Sequence, residues 1–451
     1  MRISNLHIFS SLLLCFLWGC QSDVTPQTWG TYHFPRPDAK MTLVQENGSF
    51  EIMVDGQPFQ IRGGGGRTHL DELKAIGGNT IRTWSTFEMD TLLEQAQAAG
   101  LKVMVGLDVV PGRLGLDYMD TAQVAEQKAR IRQDILKYKD HPALLMWNVG
   151  NELDLFYEKD ALYYAINDIA EMIHEIDPDH LVTVSVGIKP LWINKVATLC
   201  PAIDILSINV FSPLPSLPSL MNSSSIAWKG PYIVTEWSSK GYWEVGFVDW
   251  DAPIEPPSRE KVAQMMHWYQ NSIAWDQARC MGSFAFYWGN KQERTHTWFS
   301  MFSKEGEKTS RVDALQYLWE GKWPENRAPD VDSVVVAGFP ADQSIYVGPG
   351  ETHNVRAVTF DAENDALSIE WELMAEGAYR NTFGGDKEQR PQQYPELLLS
   401  QSGHTLTFQS PQEIGAYRLF VYVRDGKGNF GSANIPFFVS EKKIVSGIAG
   451  K

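Results

Sequence analysis

Between residues 50 and 320 the pattern of hydrophobic positions alternates between short apolar runs and longer stretches with helical spacing. A strand buried on both faces shows a near-continuous apolar run, as the sequence Leu-Leu-Met-Trp at 144–147 does. The runs predict eight strands, at residues 60–62, 79–84, 101–108, 143–148, 181–186, 203–210, 232–235 and 281–288. Helices are predicted between them at 91–99, 129–138, 161–176 and 259–278, followed by a last helix at 312–319.

Eight strand–helix units in about 270 residues match the size of a closed barrel, although an open doubly wound sheet shows the same alternation. We therefore predict an α/β fold, a (β/α)8 TIM barrel over residues 50–323. Ahead of its first strand, Asp55-Gly56 is a two-residue hairpin signal, and residues 21–49 are expected to form a tether. The glycines at 63–66 lack the Lys-Ser/Thr of a phosphate-binding loop, and we expect them to keep the floor of a cleft low.

The C-terminal part of the chain follows a different pattern. Residues 324–330 have the composition of a linker, and beyond them apolar and polar positions alternate, as in 367–373. About seven such runs predict an all-β sandwich over residues 331–441, ahead of a tail at 442–451. This segment resembles immunoglobulin-like or cadherin-like modules, and we expect it to be a spacer or a packing partner of the barrel. Its turns carry acidic residues that either bind calcium or hydrogen-bond locally, namely Asp361, Glu363, Asp365 and Asp425.

The N-terminus has the features of an export signal. Arg2 precedes an apolar run over residues 8–18 that is too short to cross a bilayer as a helix. The run ends in Leu17-Trp18-Gly19-Cys20, which resembles a bacterial lipoprotein cleavage box with Trp18 in place of the usual small residue. We expect residues 1–20 to be the signal, Cys20 to carry lipid and the protein to be anchored in the cell envelope. A plain secretory signal and a buried first helix are the alternatives.

Composition narrows the possible partners. A net charge of −16 argues against nucleic acid and anionic membrane surfaces, so we expect membrane contact only through the lipid anchor. The same charge mildly disfavours a strongly anionic substrate, unless a local basic pocket overrides it. The 16 Trp suit a protein that stacks on sugars, although most of them are expected in the core. Cys200 and Cys280 are interpreted as buried thiols, with a disulfide between them as the alternative, and no zinc-ligand spacing is present.

Two acidic residues stand at strand ends where a barrel places its chemistry. The fourth predicted strand leads into Asn151-Glu152, and the seventh ends in Thr235-Glu236-Trp237. In a (β/α)8 barrel the C-terminal strand ends face one mouth, so these carboxylates, three units apart, can share a cleft. A retaining glycosidase needs such a pair, one as nucleophile and one as acid/base, held in different protonation states.

With these motifs the segment 50–320 resembles glycoside hydrolase clan A. It is closest to the catalytic domain of family 2, with some similarity to family 5 and to fungal β-1,3-glucan-remodelling enzymes. The resemblance implies that Glu152 is the acid/base and Glu236 the nucleophile. It also implies that Asn151 holds the sugar 2-hydroxyl, that Arg82 lies beside the nucleophile, and that Trp288 forms the aromatic floor of the sugar site.

The chain departs from the family pattern in two places. Only about 30 residues separate the signal from the barrel, so we expect the front jelly-roll domain of family 2 to be missing. Strand six ends Asn209-Val210-Phe211 where many clan members have a tyrosine that hydrogen-bonds the nucleophile, so another donor must orient Glu236. Asn209 is counted with the substrate-binding residues.

For the other residues at the predicted mouth, a purely structural role is the alternative to a functional one. We expect the indoles of Trp84, Trp237, Trp243 and Trp298 to stack on sugar rings or to be packing. Lys291-Gln292-Glu293 either binds hydroxyls or is a solvated loop. Arg82 could be a barrel salt bridge, and Asn151 could cap the following helix.

The sequence therefore predicts a monomeric retaining β-glycosidase acting on a β-linked polysaccharide or oligosaccharide, with a β-glucan preferred. Transglycosylation by the same residues and a non-catalytic surface glycan-binding protein are the alternatives. The reaction needs carboxylates and water alone, so no cofactor and no metal is implied.

Overall fold

The computed structural model describes residues 39–157, 159–377 and 388–441. The export signal with Cys20, most of the segment 21–49 and the tail 442–451 lie outside these residues. Helices long and apolar enough to cross a membrane were not found among the described residues. Cys200 and Cys280 are both buried free thiols, as predicted.

A small antiparallel sheet precedes the barrel. Its strands are β1 (Met41–Glu46), β2 (Ser49–Val54) and β3 (Gln57–Pro58). The predicted turn Asp55-Gly56 joins β2 to β3, with both residues at positive φ. The prediction of a tether up to residue 49 is wrong for β1, which pairs with β2 around Asn47-Gly48, a second two-residue hairpin signal. Apolar side chains of this sheet pack with residues from inside the barrel strands, so the sheet closes the end of the barrel away from the strand C-termini.

The eight predicted parallel strands close into a barrel rather than an open sheet. In chain order they are β4 (Ile61–Gly66), β5 (Thr80–Arg82), β6 (Lys102–Gly106), β7 (Leu144–Asn151), β8 (Leu181–Gly187), β9 (Ile205–Asn209), β10 (Tyr232–Trp237) and β11 (Cys280–Trp288). The helices are α1 (Leu70–Ala75), α2 (Met89–Ala98), α3 (Thr121–Tyr138), α4 (Asp160–Ile176), α5 (Pro190–Leu199), α6 (Leu217–Met221), α7 (Ser258–Trp268) and α8 (Ser310–Glu320). α3 begins eight residues before its predicted start because Asp120 caps it, accepting hydrogen bonds from the backbone N–H groups of Ala122 and Gln123.

The glycines at 63–66 form most of β4 rather than a loop after it. They face large side chains of the neighbouring strand β11. A Cβ at Gly63 would lie 2.3 Å from the Phe284 ring, and one at Gly64 would lie 2.6 Å from the Trp288 indole. The glycine run therefore makes room for the aromatic residues of β11 inside the barrel.

The C-terminal part forms an all-β unit of two four-stranded sheets. One has the order β12-β14-β17-β16 and the other β13-β19-β18-β15. Their bounds are β12 (Asp330–Val336), β13 (Tyr346–Val347), β14 (Thr352–Phe360), β15 (Ser368–Ala375), β16 (Leu398–Ser402), β17 (Thr405–Gln409), β18 (Gly415–Arg424) and β19 (Phe430–Val439). Alternate residues of both sheets share one apolar core.

The four acidic turn residues of this unit have protein partners. Asp361 accepts hydrogen bonds from the backbone of Glu363 and Asp365, Glu363 pairs with Arg327, and Asp365 pairs with Lys427. Asp425 accepts from Asn326, Asn429 and the backbone N–H of Lys427. Within the described residues no group of three or more metal-binding side chains is assembled.

Candidate active site

A cavity of about 1030 Å³ opens at the C-terminal end of the barrel strands. It is lined by residues at the C-terminal ends of β7 to β11 and in the segments that follow β5 to β11. The cavity contains both candidate carboxylates, together with Asn151, Asn209 and Trp84. The barrel topology thus brings the ends of the fourth and seventh strands into one space, as the sequence predicts.

Glu152 follows directly after β7 and is only partly buried. Its backbone lies in the left-handed region with φ of 47°, an uncommon conformation for a residue with a side chain. The backbone N–H of Glu152 donates to the Ser185 carbonyl at 2.8 Å, which fixes this turn against β8. Its Oε1 accepts one hydrogen bond from Asn209 Nδ2 at 3.0 Å. The turn therefore holds Glu152 at the cavity wall, within hydrogen-bonding distance of Asn209.

Glu236 is nearly buried inside β10 and has a different set of partners. Arg82 Nη1 lies 2.9 Å from its Oε1 and forms an ion pair that is buried on the arginine side. Trp84 Nε1 donates to the same oxygen at 2.8 Å. Trp84 is thus the donor that the sequence requires in place of a tyrosine at 211, because Phe211 has no hydroxyl. The Arg82 guanidinium also lies over the Trp84 ring, 4.9 Å from its centroid.

Asn151 and Asn209 connect the surroundings of the two carboxylates. Asn151 Oδ1 accepts from Arg82 Nη2 at 2.6 Å and from Asn209 Nδ2 at 3.0 Å. Asn209 Oδ1 in turn accepts from the Thr235 hydroxyl at 2.8 Å. The N-cap of the next helix is Lys159, so Asn151 does not cap it. One hydrogen-bonded network therefore holds the groups around Glu152 and Glu236 in fixed relation.

The surroundings of Glu152 favour its protonated form. Burial raises the pKa of Glu152, and the negative charge of Glu236 raises it further. The hydrogen bond from Asn209 acts in the opposite direction because it favours the carboxylate form. Burial also raises the pKa of Asp154, two residues beyond Glu152, to about 7. A carboxyl group that keeps its proton near neutral pH can act as a general acid.

The predicted aromatic residues divide into two groups. Trp84 and Trp243 line the cavity, and Trp243 is 49% exposed. The prediction that sugar rings stack on Trp237, Trp288 and Trp298 is wrong, because each of these side chains is 0% exposed. Trp288 donates to the His69 carbonyl and packs edge-on against Phe302, so it lies in the barrel core and not on a sugar-accessible floor.

Several cavity residues carry no clear sequence signal. Tyr242 lines the cavity from the loop after β10, Tyr287 from the end of β11 and Trp192 from the first turn of α5. Glu244 also lines it and accepts backbone hydrogen bonds from Ser212 and Gly241. The positions of Tyr242 and Glu244 follow from how the loop after β10 folds over the mouth, which local patterns do not specify.

The loop after β11 supplies the predicted polar residues. Lys291 and Glu293 line the cavity and form an ion pair of 2.5 Å. Glu293 is 4% exposed, and burial raises its pKa. Gln292 is not among the cavity-lining residues, and its side-chain amide donates to the Arg294 carbonyl. This loop is therefore part of the cavity wall rather than a solvated excursion.

The fold has counterparts among solved structures. A β-galacturonidase from Eisenbergiella tayi is 14% identical with a TM-score of 0.50, and the match covers 63% of this chain and 54% of that one. A β-glucuronidase from Bacteroides uniformis is 14% identical with a TM-score of 0.48, covering 89% of this chain and 48% of that one. A β-D-glucuronidase from Dictyoglomus thermophilum is 18% identical with a TM-score of 0.47, covering 63% and 54%. The chain thus spans about half the length of these proteins. No curated protein sequence matches it.

The family model described as glycosyl hydrolases family 2, TIM barrel domain, matches residues 74–301. This match covers half of the chain and includes Arg82, Asn151, Glu152 and Glu236. The chain belongs to glycosyl hydrolases family 2.

Proposed function

We propose that this protein is a retaining β-glycoside hydrolase in which Glu236 is the nucleophile and Glu152 is the acid/base. The observation that carries the proposal is that one cavity contains two carboxylates with opposite surroundings. A buried cation and an indole N–H stabilise Glu236 as an anion. Burial and the neighbouring negative charge favour the protonated form of Glu152.

The reaction follows from these two states in two displacements. With Oε1 of Glu236 held by Arg82 and Trp84, its Oε2 attacks the anomeric carbon while Glu152 gives its proton to the departing oxygen. The glycosidic bond breaks as a glycosyl ester to Glu236 forms. Glu152, now a carboxylate, takes a proton from water, and this water displaces Glu236 from the anomeric carbon. The enzyme returns to its starting protonation state.

The size and lining of the cavity favour an oligosaccharide or polysaccharide as substrate. A volume of about 1030 Å³ is at the upper end of the range for small-ligand sites, roughly 300–1,000 Å³. Trp84, Trp192 and Trp243 contribute indole groups to the lining, and indole faces stack well on the apolar faces of sugar rings. A β-glucan remains our preferred substrate class.

Cationic side chains also line this cavity, in contrast to the net charge of the chain. They are Arg113, Lys189, Lys291 and Arg294. Lys291 is paired with Glu293, whereas Lys189 lies over the Trp192 ring at 4.1 Å from its centroid. A substrate panel should therefore include β-linked oligosaccharides that contain uronic acid beside neutral glucans, galactans and mannans.

Product analysis by mass spectrometry across this panel tests the proposal. Wild type is expected to cleave one class, and Glu236→Ala and Glu152→Ala are expected to lose that cleavage. Product lengths distinguish endo from exo action and hydrolysis from transfer to a sugar acceptor. Activity that survives Glu236→Ala would overturn the nucleophile assignment. Binding of a glycan by wild type without cleavage would instead favour a surface glycan-binding protein.

We also propose that the protein is exported and anchored through lipid on Cys20, and that it is a monomer. The motif Leu17-Trp18-Gly19-Cys20 supports the anchor. Wild type produced in a bacterial host should partition into the detergent-rich phase of a phase-separation assay, whereas Cys20→Ala should partition into the aqueous phase. Equal partition of the two proteins would contradict lipidation.

A further inference from the structure

The central strands β18 and β19 of the second sheet are buried on both faces over most of their length, which a simple spacer does not require. In β19, Ala433, Ile435, Phe437 and Val439 face the sandwich core, and the intervening residues Asn434 and Pro436 are buried as well. Asn434 is one of these intervening residues and is 6% exposed. Because side chains alternate along a strand, Asn434 points away from the sandwich core and towards the barrel.

Asn434 joins a buried polar cluster at this junction. Its Nδ2 donates to Glu255 Oε2 at 2.5 Å, and Glu255 forms an ion pair of 2.5 Å with Lys261 in the first turn of α7. Glu255 and Lys261 are 5% and 3% exposed. Burying such a pair is costly unless further hydrogen bonds satisfy both groups. Asn434 supplies one of these hydrogen bonds from the sandwich.

The same cluster holds the loop that follows β11. Lys261 Nζ donates to the carbonyl groups of Thr297 at 2.9 Å and Trp298 at 3.0 Å. The Thr295 hydroxyl donates to Glu255 Oε2 at 2.5 Å. A few residues earlier, the loop presents Lys291 and Glu293 to the cavity. Glu293 and Thr295 exchange two backbone hydrogen bonds, so fixing Thr295 also fixes Glu293.

Other contacts from the sandwich reach the same loop. The His296 ring lies 2.5 Å from the Tyr422 hydroxyl, which in turn donates to Glu372 at 2.7 Å. The backbone N–H of Arg294 donates to Glu388 Oε2 at 2.7 Å. The loop is therefore held by the barrel on one side and by the sandwich on the other.

We infer that Asn434 is a positioning residue: through Glu255 it fixes the loop 289–302 that carries Lys291 and Glu293 into the cavity. The all-β unit is then part of the catalytic unit and not a spacer. The effect of Asn434 on the local order of the loop does not depend on the reaction that the protein catalyses. The effect of Asn434 on turnover rests on the proposed function.

Asn434→Asp is the sharpest variant. It is nearly isosteric and keeps the oxygen that accepts from Arg418 Nη1 at 2.6 Å, but it replaces the donor to Glu255 with an acceptor. Asp332→Asn is the matched control because Asp332 also joins the sandwich to α7, through Arg259 at 3.0 Å, at the protein surface. Asn434→Ser is the second variant if the aspartate variant fails to fold.

Hydrogen–deuterium exchange of the peptide spanning 289–302 is the primary measurement. In Asn434→Asp we expect its amides to exchange about tenfold faster or more, while amides of β7 and α4 keep their wild-type rates and the control is unchanged. On the substrate found by the panel we expect KM to rise about three- to tenfold with a smaller change in kcat, as expected when binding residues are loosened.

Unchanged exchange of this peptide in a folded Asn434→Asp or Asn434→Ser protein would overturn the inference. Faster exchange spread equally over the whole chain would also overturn it, because the residue would then act only on global stability. Faster exchange confined to the loop, in a protein that cleaves no glycoside, would leave the inference standing and contradict the proposed function.

Discussion

Glu152 and Glu236 share one cavity but have different surroundings. Glu236 lies inside a strand, and one of its oxygens is held by a buried guanidinium and an indole N–H. Glu152 lies in a strained turn, with an amide N–H from Asn209 and a buried carboxyl group two residues away. The first environment favours a carboxylate and the second favours a carboxylic acid. The difference teaches that local contacts, and not residue type, assign the chemical roles.

The strongest test of this comparison removes each carboxylate in turn. Glu236→Ala should lower kcat by more than about 10⁴-fold because the covalent step is lost. Glu152→Ala should lower it by about 10²–10⁴-fold for a sugar leaving group and far less for an activated aryl leaving group, which needs no proton. Stopped assays on both substrate types measure this contrast. The assignment is reversed if the aryl glycoside rescues Glu236→Ala instead.

Rescue by azide gives an independent outcome for the same pair. Azide should replace Glu236 in Glu236→Ala and give a glycosyl azide of inverted configuration at the anomeric carbon. In Glu152→Ala it should attack the glycosyl-enzyme and give a product of retained configuration. Nuclear magnetic resonance of the products separates the two. The same configuration from both variants would contradict different roles for the two residues.

The next effect concerns the donors on Glu236. Trp84→Phe keeps the aromatic ring but removes the N–H that lies 2.8 Å from Oε1. A hydrogen bond to a charged group contributes about 1.5–3 kcal/mol, so kcat should fall about 10- to 100-fold with little change in KM. Trp243→Phe is the control because Trp243 lines the cavity and packs edge-to-face against Tyr242 and Phe211. Equal losses in both variants would mean that Trp84 acts only as packing.

The contrast between the carboxylates could be anticipated from the sequence only in part. The apolar runs predict the barrel because buried parallel strands have few polar positions, and strand ends then bring Glu152 and Glu236 together. The sequence also indicates that Phe211 leaves a donor missing. It does not indicate that Trp84 provides this donor, since strand periodicity gives the face of a residue but not the direction of its indole N–H.

Trp288 is the opposite case, because the sequence predicts a sugar contact for it that the structure does not have. The resemblance to clan A implies that Trp288 forms a sugar-accessible floor, but the glycines of β4 let its indole pack into the barrel. Whether a strand-end aromatic residue points into the cavity or into the core depends on the neighbouring strand, which lies far away in sequence. The contacts between the sandwich and the loop 289–302 were unpredictable for the same reason.

A smaller effect is expected on the pH dependence. Asn209 favours the carboxylate form of Glu152, so Asn209→Ala should raise the pKa of Glu152 further. The acid needs its proton, and activity falls as pH rises through this pKa. The alkaline limb of kcat/KM should therefore move to higher pH, by less than about one unit. A shift to lower pH would show that Asn209 does not act as a donor to Glu152.

Asp154→Asn should produce the smallest effect, in the opposite direction. The charge of Asp154 raises the pKa of Glu152, and burial raises the pKa of Asp154 itself to about 7. Asp154 is thus ionised only above neutral pH, where its charge makes Glu152 hold its proton more tightly. Removing this charge should move the alkaline limb to lower pH by a fraction of a unit and leave the acidic limb in place.

Tyr163→Phe is the matched control because it removes the hydroxyl 3.3 Å from Asp154 but keeps the carboxyl group. If Asp154→Asn moved the acidic limb instead, Asp154 would influence Glu236 and not Glu152. The surroundings of the two carboxylates would then not be independent of each other.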